Sequence, residues 1–329
     1  MTLHMTIAYQ EWPYRQTFRY ARATQVSSPL FLCHITDGEY VGRGECGLQT
    51  LKHETRESIG AELAAIAARI GDIGSREALN RLVPGGSARN AVDCAFWDLE
   101  CKRMGRSIWE MANVALQERI EVDITIGINP LEKMRADAVE AARKGYGLLK
   151  IKADAESVLE KIAVIAEAAK GAMFIVDANE AWTMEQLIEL APRLKDLGVV
   201  VIEQPLHHAR DDALETYRSP IPLCADESCA TSDGLDVLAR RYQAVNIKLD
   251  KCGGLTEGLA LARAARARGL GLMMGCNGAT SLGNAPAYVI GTLCDWRDID
   301  SHALLYEDRF GGMKTENGKL YAFSSNLWG

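Results

Sequence analysis

The sequence predicts an α/β protein in which a parallel, TIM-like (β/α)8 barrel follows a smaller α+β domain. From about residue 120 onward, eight short, apolar and β-prone runs alternate with longer runs whose apolar residues recur every three or four positions. The first 115 residues or so lack this alternation. An open, doubly wound sheet is the alternative, but eight evenly spaced units favour closure into a barrel.

The predicted strands are short, and helical stretches separate them. Two of these stretches, "MEQLIELAPRLKDLG" and "TEGLALARAARARGLG", run into glycine, as helices commonly do at their C-terminal ends. We assign residues 116–304 to this barrel. The eight strands are predicted at 121–128, 148–152, 173–179, 199–205, 221–228, 244–250, 271–276 and 294–300.

The part of the chain before the barrel carries two local signals of its own. The run "PLFLCHITDGEYVGRGEC" predicts a hairpin that turns at Asp37-Gly38. The run "SARNAVDCAFWDLECKRMG" predicts an amphipathic helix that ends at Gly105. Residues 1–115 are therefore predicted to form an α+β domain in front of the barrel.

Composition and charge narrow the class of protein. A net charge of −7 argues against a nucleic-acid partner, because such a protein would need a basic face. Nine cysteines without a C-x-x-C pair indicate buried free thiols in a reducing compartment. The first residues show no secretory signal pattern, and no apolar run approaches the roughly 18 residues that span a membrane. We expect a soluble cytoplasmic protein, which could form homo-oligomers.

Charged residues mark the predicted C-terminal ends of the central strands, where the active site of such a barrel lies. Five of them follow one another at spacings of 25, 26, 23 and 22 residues, about one strand–helix unit each time. They are Lys152, Asp177, Glu203, Asp226 and Lys248. Asp298 and Asp300 lie on the last strand. One such residue alone would indicate a helix N-cap or an ion pair at the rim, but seven in phase indicate a site.

Three of these residues, Asp177, Glu203 and Asp226, are carboxylates on adjacent strands. Three carboxylates that meet cannot all stay ionised without a cation. Ligand sets made only of oxygen suit Mg²⁺, whereas zinc usually takes His or Cys, and neither joins this set. His207 and His208 follow Glu203 closely, but we interpret them as surface residues without a metal role. The sequence therefore predicts a Mg²⁺ site.

The run "LLKIK" at 148–152 places two lysines on one face of a strand, because side chains at i and i+2 point the same way. Alone, this pair would indicate an exposed edge strand. Beside a metal site, Lys152 and Lys248 would flank the ion from opposite sides. The Lys150 ammonium and the metal would lower the pKa of Lys152, which makes it a better base at neutral pH. Lys150 could also meet the carboxylate of a substrate.

The motifs that hold these residues resemble the enolase superfamily, and within it the muconate-lactonizing subgroup. The resemblance covers nearly the whole chain: "GRGEC" and "ARNAVDCAFWDL" in the front domain, then "LKIK", "VDANEAW", "IEQP", "CADES", "NIKLDKCGG" and "DID". It implies a capping α+β domain and a (β/α)7β barrel, with residues 305–329 returning to the cap. It also implies that Asp177, Glu203 and Asp226 bind Mg²⁺.

The half-reaction shared by that superfamily implies roles for the lysines. Mg²⁺ binds a substrate carboxylate, a base removes the adjacent α-proton, and the metal holds the enolate. Lys152 and Lys248 would be the two acid/bases, one on each face of the α-carbon. Two bases on opposite faces suit a 1,1-proton transfer, because removal from one face and return to the other inverts the centre.

The last predicted strand resembles that of one particular group of enzymes within the subgroup. "RDIDSH" is similar to the D-x-D of dipeptide epimerases, in which the two carboxylates bind the α-ammonium of a dipeptide of the L-Ala-D/L-Glu type. Carboxylates at the rim paired with a loop arginine are the alternative interpretation of Asp298 and Asp300. The resemblance implies further substrate contacts at Thr125, Cys276 and Arg22. Arg22 would bind the side-chain carboxylate of the glutamate, and Arg19 is the alternative residue for this role.

One departure from the relatives lies beside the pocket. Asn277-Gly278 replace the Met that the relatives commonly carry after Gly275-Cys276, which bears on the second dipeptide residue that the pocket accepts.

We expect a dipeptide epimerase that acts on L-Ala-D/L-Glu in the recycling of peptidoglycan peptides. The alternatives are an N-acylamino acid racemase, or a cycloisomerase or o-succinylbenzoate synthase of the same subgroup. From other classes, the alternatives are a Schiff-base lyase that uses Lys152 or Lys248 and a non-catalytic binding protein.

Overall fold

A three-stranded antiparallel sheet opens the chain in the computed structural model, which describes residues 2–21, 23–49 and 52–329. Its strands, in sheet order, are β1 (His4–Tyr20), β2 (Ala23–Thr36) and β3 (Val41–Cys46). β1 and β2 form a long hairpin whose far end pairs Tyr20 with Ala23. β2 and β3 form the hairpin predicted around Asp37-Gly38, and that prediction is confirmed.

Helices follow this sheet, and the longest of them lies directly against β3. The helices are α1 (Arg56–Ala67), α2 (Ile70–Ile73), α3 (Arg76–Leu82), α4 (Ser87–Met104) and α5 (Ile108–Ala112). β3 and α4 approach closely because Gly44 has no side chain: a Cβ there would lie 1.9 Å from Ala91 O. α4 ends at Gly105, whose φ of 59° is left-handed, so the predicted helix is confirmed.

Eight parallel strands form a nearly closed barrel within residues 124–298, a stretch that is described throughout. A short strand, β4 (Arg119–Glu121), precedes them. The barrel strands, each paired with the next, are β5 (Ile124–Ile126), β6 (Leu148–Lys152), β7 (Met173–Asp177), β8 (Val199–Glu203), β9 (Leu223–Ala225), β10 (Ala244–Ile247), β11 (Gly271–Gly275) and β12 (Trp296–Asp298). A hydrogen bond from Asp123 N to Arg297 O at 3.0 Å links the two edges. Each strand lies inside its predicted range, so the eight strands are confirmed.

Helices connect the barrel strands, with one exception. They are α6 (Leu131–Arg143), α7 (Val158–Ala168), α8 (Met184–Asp196), α9 (Leu235–Arg241), α10 (Leu249–Cys252), α11 (Leu255–Ala267), α12 (Ser281–Gly291) and α13 (Ser301–Leu304). The connection after β8 is a kinked 3₁₀ segment (His208–Thr216) instead of the predicted α-helix. Only the four-residue α13 follows β12, so the architecture is the (β/α)7β barrel that the resemblance implied, not (β/α)8.

The last residues pack against β3, β4 and α4. β13 (Thr315–Glu316) and β14 (Lys319–Tyr321) form an antiparallel sheet with β4. Trp328 is fully buried, and its Nε1–H donates to Arg43 O at 3.0 Å and to Cys94 O at 3.1 Å. These contacts tie the end of the described chain to both the front sheet and its longest helix.

Apolar side chains fill one layer of the barrel interior, and polar side chains fill the next. The apolar layer contains Ile175, Val201, Cys224, Ala244 and Met273. Alternate strand residues point to the same face, so the residues two positions further along also point inward. On three of these strands those residues are Asp177, Glu203 and Asp226. The strand period thus places the candidate site directly above the apolar layer.

The cysteines form no disulfide bonds among the described residues. All nine cysteines are free thiols, and all but Cys276 are buried. Burial raises the pKa of Cys33 and of Cys252 to about 12, so these thiols stay protonated.

None of the helices in the described ranges is both long and apolar enough to cross a membrane.

Candidate active site

A cavity of about 140 Å³ opens at the C-terminal ends of the barrel strands, beneath the far end of the β1–β2 hairpin. Its walls come from the barrel, and side chains of the hairpin close it from above. The predicted site residues that line it are Thr125, Lys152, Asp226, Lys248, Cys276, Asp298 and Asp300. The hairpin contributes Tyr14, Phe18, Tyr20 and Gln25. Seven residues that lie far apart in the sequence thus face one space.

The three carboxylates predicted as metal ligands lie on neighbouring strands. In the barrel register Lys152 is opposite Asp177, and Asp177 is opposite Glu203. Asp226 directly follows β9, the next strand along the sheet. Asp177 and Glu203 are fully buried, and Asp226 is 3% exposed. The fold therefore brings these carboxylates to one side of the barrel mouth.

Lys152 and Lys248 each form an ion pair with one of these carboxylates. Lys152 Nζ donates to Asp177 Oδ2 at 2.6 Å, and Lys248 Nζ donates to Asp226 Oδ2 at 2.8 Å. Three strands separate β6, which carries Lys152, from β10, which Lys248 follows. In an eight-stranded barrel that separation puts the two lysines on opposite sides of the cavity.

Burial and charge together set the protonation of the three carboxylates. Burial raises the pKa of Asp177 and of Asp226, but the nearby ammonium groups, those of Lys152 and Lys248 first, lower both below the ordinary value. Burial, with the charge of Asp177, raises the pKa of Glu203 to about 7. Lysine ammonium groups thus compensate Asp177 and Asp226, and Glu203 is the carboxylate whose ionised form a bound cation would stabilise most.

The pKa values of Lys248 and Lys150 both lie above the ordinary lysine value. Burial lowers the pKa of each, but the carboxylates, Asp226 first for Lys248 and Asp298 first for Lys150, outweigh burial and raise it. The lowered pKa expected for Lys152 beside a metal stays a prediction. A divalent ion on those carboxylates would compete for their negative charge and favour the neutral amine.

Lys150 lies beneath the cavity rather than on its wall. Its side chain is buried, and Nζ lies 2.5 Å from Asp298 Oδ2, 2.7 Å from Glu203 Oε2 and 3.2 Å from Asp177 Oδ2. One ammonium thus joins a predicted substrate-binding carboxylate to two predicted metal ligands. This placement favours a positioning role over the predicted contact with a substrate carboxylate.

The donor set fits Mg²⁺ in kind, because Asp177, Glu203 and Asp226 offer only hard oxygen ligands. Two of the carboxylates reach the same atom, Lys150 Nζ, so they converge on one point. The oxygens of the three carboxylates lie further apart than the ligand atoms of the two most compact metal-ligating groups among the described residues, because each carboxylate turns toward a lysine. Those tightest groups, with ligand atoms within 4.8 Å of one another, are Cys276–Asp298–Asp300 and Glu180–His207–His208.

Asp298 and Asp300 form a buried acidic pair beside Thr125 and Cys276. Thr125 N donates to Asp300 Oδ2 at 2.7 Å. Burial, then the charge of Asp298, raises the pKa of Asp300 to about 6. Burial also raises the pKa of the Cys276 thiol. Among the described residues the ion-pair partner of Asp298 is Lys150, and the alternative interpretation with a loop arginine stays open because Arg22 lies outside those residues.

The arginine predicted to bind a substrate carboxylate stays a prediction. Arg22 lies outside the described residues. Arg19 is exposed, and because Phe18 and Tyr20 line the cavity, the side chain between them faces the other way. The backbone oxygen of Arg19 accepts a hydrogen bond from Ile128 N at 2.9 Å. Arg19 thus fastens the hairpin to the barrel through its backbone.

Sequence reasoning missed several residues of the site. Lys251 is 7% exposed, lines the cavity and donates to Asp226 Oδ1 at 2.5 Å. Asn246 Nδ2 donates to Glu203 Oε1 at 2.8 Å. Asn246 carried a signal, because it lies two residues before Lys248 and faces the same side. The hairpin residues carried none, because their position over the barrel depends on contacts distant in sequence.

Asn277 lines the cavity and is held from behind. Its Nδ2 donates to Asp250 Oδ2 at 3.0 Å. Asn90, on helix α4 of the front domain, donates to Asp250 Oδ1 at 2.7 Å. Burial raises the pKa of Asp250 to about 7. One buried carboxyl group therefore connects the pocket wall to the front domain.

Comparison with known proteins places this geometry in a family. A family model described as the N-terminal domain of mandelate racemase / muconate lactonizing enzyme matches residues 2–112, and one described as enolase C-terminal domain-like matches residues 133–320. The L-Ala-D/L-Glu epimerase of Escherichia coli (strain K12) is 36% identical over 312 residues, which are 95% of this chain and 97% of that protein. An N-acetyl-D-glutamate racemase of Pseudoalteromonas sp. is 41% identical over 253 residues, which are 77% of this chain and 79% of that protein.

Solved structures match along the whole chain. An enolase family member from Agrobacterium tumefaciens with homology to dipeptide epimerases, with bound sodium and L-Ala-L-Glu, has a TM-score of 0.96 and 34% identity, covering 99% of this chain and 100% of that one. A dipeptide epimerase from Methylococcus capsulatus, complexed with Mg and the dipeptide L-Arg-D-Lys, has a TM-score of 0.89 and 27% identity, covering 98% of each chain. Both domain models and these near-full-length matches show that the chain belongs to the mandelate racemase / muconate lactonizing enzyme family of the enolase superfamily.

Proposed function

We propose that the protein is a Mg²⁺-dependent dipeptide epimerase, an isomerase that inverts the α-carbon of the C-terminal residue in dipeptides of the L-Ala-D/L-Glu type. The observation that carries this proposal is the placement of Lys152 and Lys248, which reach one cavity from opposite sides of the barrel. Inversion by proton transfer needs one group to take a proton from one face of the carbon and a second to return a proton to the other.

The charged groups around the cavity suit the two ends of a dipeptide. The α-ammonium would lie at Asp298 and Asp300, and the terminal carboxylate would lie toward the opposite, metal-binding side. Mg²⁺ held by Asp177, Glu203 and Asp226 would supply positive charge that makes the proton next to the carboxylate more acidic.

Each lysine then has one role for a given substrate diastereomer. Lys152 takes the α-proton on its side of the carbon, and Lys248 delivers a proton on its own side. In the reverse direction the two lysines exchange roles. The β1–β2 hairpin assists by covering the cavity: Tyr20 lies over Lys152, with Nζ 5.9 Å from the ring centroid. Exclusion of water favours the neutral amine that proton abstraction requires.

A second candidate, an N-acylamino acid racemase, has an observation of its own in its favour. Asp298 is already paired with Lys150, and the pKa of Asp300 is raised to about 6. The acidic pair therefore presents less unpaired charge to an ammonium than two free carboxylates would. The N-acetyl-D-glutamate racemase among the relatives is consistent with this alternative.

We also propose the setting of the reaction. A substrate of the L-Ala-D/L-Glu type would come from the peptides of peptidoglycan, which makes the enzyme one of peptide recycling. The free thiols suit a reducing compartment, which supports the cytoplasm. The domain boundaries predicted above, 1–115 with 305–329 for the cap and 116–304 for the barrel, are part of the same proposal.

Proton NMR in D₂O tests the activity directly. The enzyme is incubated with Mg²⁺ and either L-Ala-L-Glu, a panel of other L,L-dipeptides, or N-acetyl-L-glutamate. We expect the α-proton of the second dipeptide residue to exchange and the L,D diastereomer to appear. Treatment with EDTA should stop both changes, and Mg²⁺ should restore them.

The panel separates the two candidates. Exchange of N-acetyl-L-glutamate without exchange of any dipeptide would reject the epimerase and support the racemase. If other dipeptides react faster than L-Ala-L-Glu, the enzyme is an epimerase of different specificity, and Asn277 on the pocket wall is the first residue to examine. Borohydride trapping of substrate on the protein would instead indicate a Schiff-base lyase.

A further inference from the structure

A second group of metal-ligating side chains lies at the rim of the barrel, outside the cavity. Glu180 lies in the loop after β7, and His207 and His208 lie in the loop after β8. One ligand atom from each of the three lies within 4.8 Å of the other two. The fold therefore brings together three side chains that are 27 and 28 residues apart in the sequence.

Direct contacts hold Glu180 against His208. Glu180 Oε1 lies 2.5 Å from His208 Nδ1 and accepts a hydrogen bond from His208 N at 2.8 Å. The Glu180 side chain is only 7% exposed, whereas that of His208 is 42% exposed. The carboxylate is thus largely fixed in place, and the imidazole closes over it from the solvent side.

His207 completes the group with a nitrogen that carries a lone pair. Its Nδ1 accepts a hydrogen bond from Ala209 N at 3.2 Å, so this nitrogen is unprotonated, and a metal ion bound there would replace the amide N–H at the lone pair. The rings of His207 and His208 are stacked, with centroids 4.4 Å apart. The two imidazoles therefore lie next to each other beside one carboxylate.

The backbone holds the two loops together at this place. Glu180 N donates to Gln204 O at 2.9 Å. Asn179, Glu180 and Gln204 have φ values of 43°, 69° and 34°, in the left-handed region that residues other than glycine rarely adopt. Such conformations are retained where the surrounding structure fixes them, and they concentrate at ligand sites.

We propose that Glu180, His207 and His208 bind a transition-metal ion of the Zn²⁺ type, at a site separate from the Mg²⁺ site. Two imidazoles and one carboxylate with a water in the fourth position form a common zinc arrangement. Nitrogen ligands favour Zn²⁺ over Mg²⁺. Bonds of about 2.0–2.2 Å to a tetrahedral ion place the ligand atoms roughly 3.3 Å apart, so the two imidazoles would have to turn out of their stacked arrangement to bind one ion together.

Binding there would reach the active site through the backbone. Asn179, next to Glu180, donates from its N–H to Asp177 Oδ1 at 2.9 Å and lines the cavity. Gln204, joined to Glu180, directly follows Glu203. A bound ion would therefore link the two loops that begin at two of the proposed Mg²⁺ ligands.

Calorimetric titration of ZnCl₂ into the Mg²⁺-saturated protein tests the proposal. Excess Mg²⁺ competes with Zn²⁺ for the carboxylates of the barrel mouth, and the rim variants show which part of the Zn²⁺ binding belongs to the rim group. We expect one equivalent of Zn²⁺ to bind, and we expect His208→Ala and Glu180→Gln each to weaken binding at least tenfold. His4→Ala, a change of an exposed histidine on β1, is the matched control and should bind as the unmodified protein does.

A second variant covers the other close group of ligands. Cys276→Ser should leave the Zn²⁺ affinity unchanged, because Cys276 lies with Asp298 and Asp300 and not at the rim. Thermal unfolding of each protein is measured without and with Zn²⁺, and added Zn²⁺ should raise the unfolding temperature of the unmodified protein but not that of His208→Ala. Equal Zn²⁺ affinity in both would overturn the proposal, as would a loss of binding in Cys276→Ser that His208→Ala does not share.

Discussion

Lys152 and Lys248 carry different halves of the proposed proton transfer, because each faces one side of the cavity. Lys152→Ala and Lys248→Ala should each slow epimerisation by about 10²–10⁴-fold, the usual contribution of one general acid or base. The remaining lysine should still exchange the α-proton of the one diastereomer that presents its proton to that side. Proton NMR in D₂O measures both rates in the same sample.

A matched lysine on the surface serves as the control for that experiment. Lys195 is exposed on α8, so Lys195→Ala should keep full activity. If either active-site variant exchanged the α-proton of both diastereomers, one base would serve both faces, and the assignment of one lysine to each face would be wrong.

Asp300 should matter for free dipeptides and not for N-acylated substrates. Asp300→Asn keeps an oxygen that can accept the Thr125 N–H and removes the negative charge. A hydrogen bond to a charged group contributes about 1.5–3 kcal/mol, so KM for L-Ala-L-Glu should rise roughly 10- to 100-fold. KM for N-acetyl-L-glutamate, if it reacts, should stay unchanged. An equal change for both substrates would show that Asp300 does not bind the ammonium.

Among single residues, those on the barrel strands could be predicted from the sequence, because their positions follow a local rule. A strand alternates its faces, and strand ends recur at near-constant spacing, so Asp177, Glu203 and Asp226 could be placed from spacing alone. The charge states of the site residues could not be predicted from the sequence. The raised pKa of Lys248 depends on Asp226, which is 22 residues away and whose distance from Lys248 only the folded structure gives.

At the level of elements, the eight barrel strands could be predicted and the longest strand could not. β1 (His4–Tyr20) contains Pro13 and many polar, partly exposed residues, so neither apolar alternation nor a continuous apolar run marks it. Its pairing with β2 defines it. The segment after β8 is a kinked 3₁₀ segment and not the predicted helix, and its buried Asp211 pairs with Arg241 of the following helix α9 at 2.7 Å, a contact that the local sequence does not indicate.

The connection between α4 and the pocket wall through Asp250 should make stability depend on pH. The pKa of Asp250 is about 7 in the fold and near the ordinary value of about 3.9 in the unfolded chain. Between these values the folded protein keeps a proton that the unfolded chain releases. The stability that protonated Asp250 contributes therefore falls as pH rises from about 4 to 7. All of this contribution is lost above the pKa that Asp250 has in the folded protein.

Asp250→Asn removes that titration and should change the pH profile. The variant loses one hydrogen bond at every pH, because an amide has one oxygen for Asn90 and Asn277 together. Relative to the unmodified protein it should gain stability between pH 4.5 and pH 8, by at most about 4 kcal/mol at about 1.4 kcal/mol per pKa unit. Urea unfolding at both pH values measures this, with the exposed Asp212→Asn as control. A pH-independent difference would contradict it.

For the whole molecule, the active site depends on contacts between parts of the chain that the sequence separates. The barrel supplies the charged groups, and the β1–β2 hairpin of the front domain supplies the cover. The sequence predicts the barrel but not the β1–β2 hairpin, and the relative position of the front domain and the barrel follows from buried contacts such as Asn90 with Asp250. The last residues of the described chain reinforce this arrangement, since Gly329 N donates to Asp98 Oδ1 on α4 at 2.8 Å.

Trp328 is the largest side chain in that closing contact, and its removal should weaken the whole molecule. Trp328→Ala leaves a cavity and two backbone oxygens, those of Arg43 and Cys94, without the indole N–H. The free energy of unfolding should fall by about 3–5 kcal/mol, measured by urea unfolding. Phe310→Ala, at a fully exposed aromatic residue, should change it by less than about 0.5 kcal/mol. If Trp328→Ala changed the free energy of unfolding as little as Phe310→Ala does, the last residues would not hold the front domain in place. The position of the β1–β2 hairpin over the active site would then depend on the hairpin's own contacts alone.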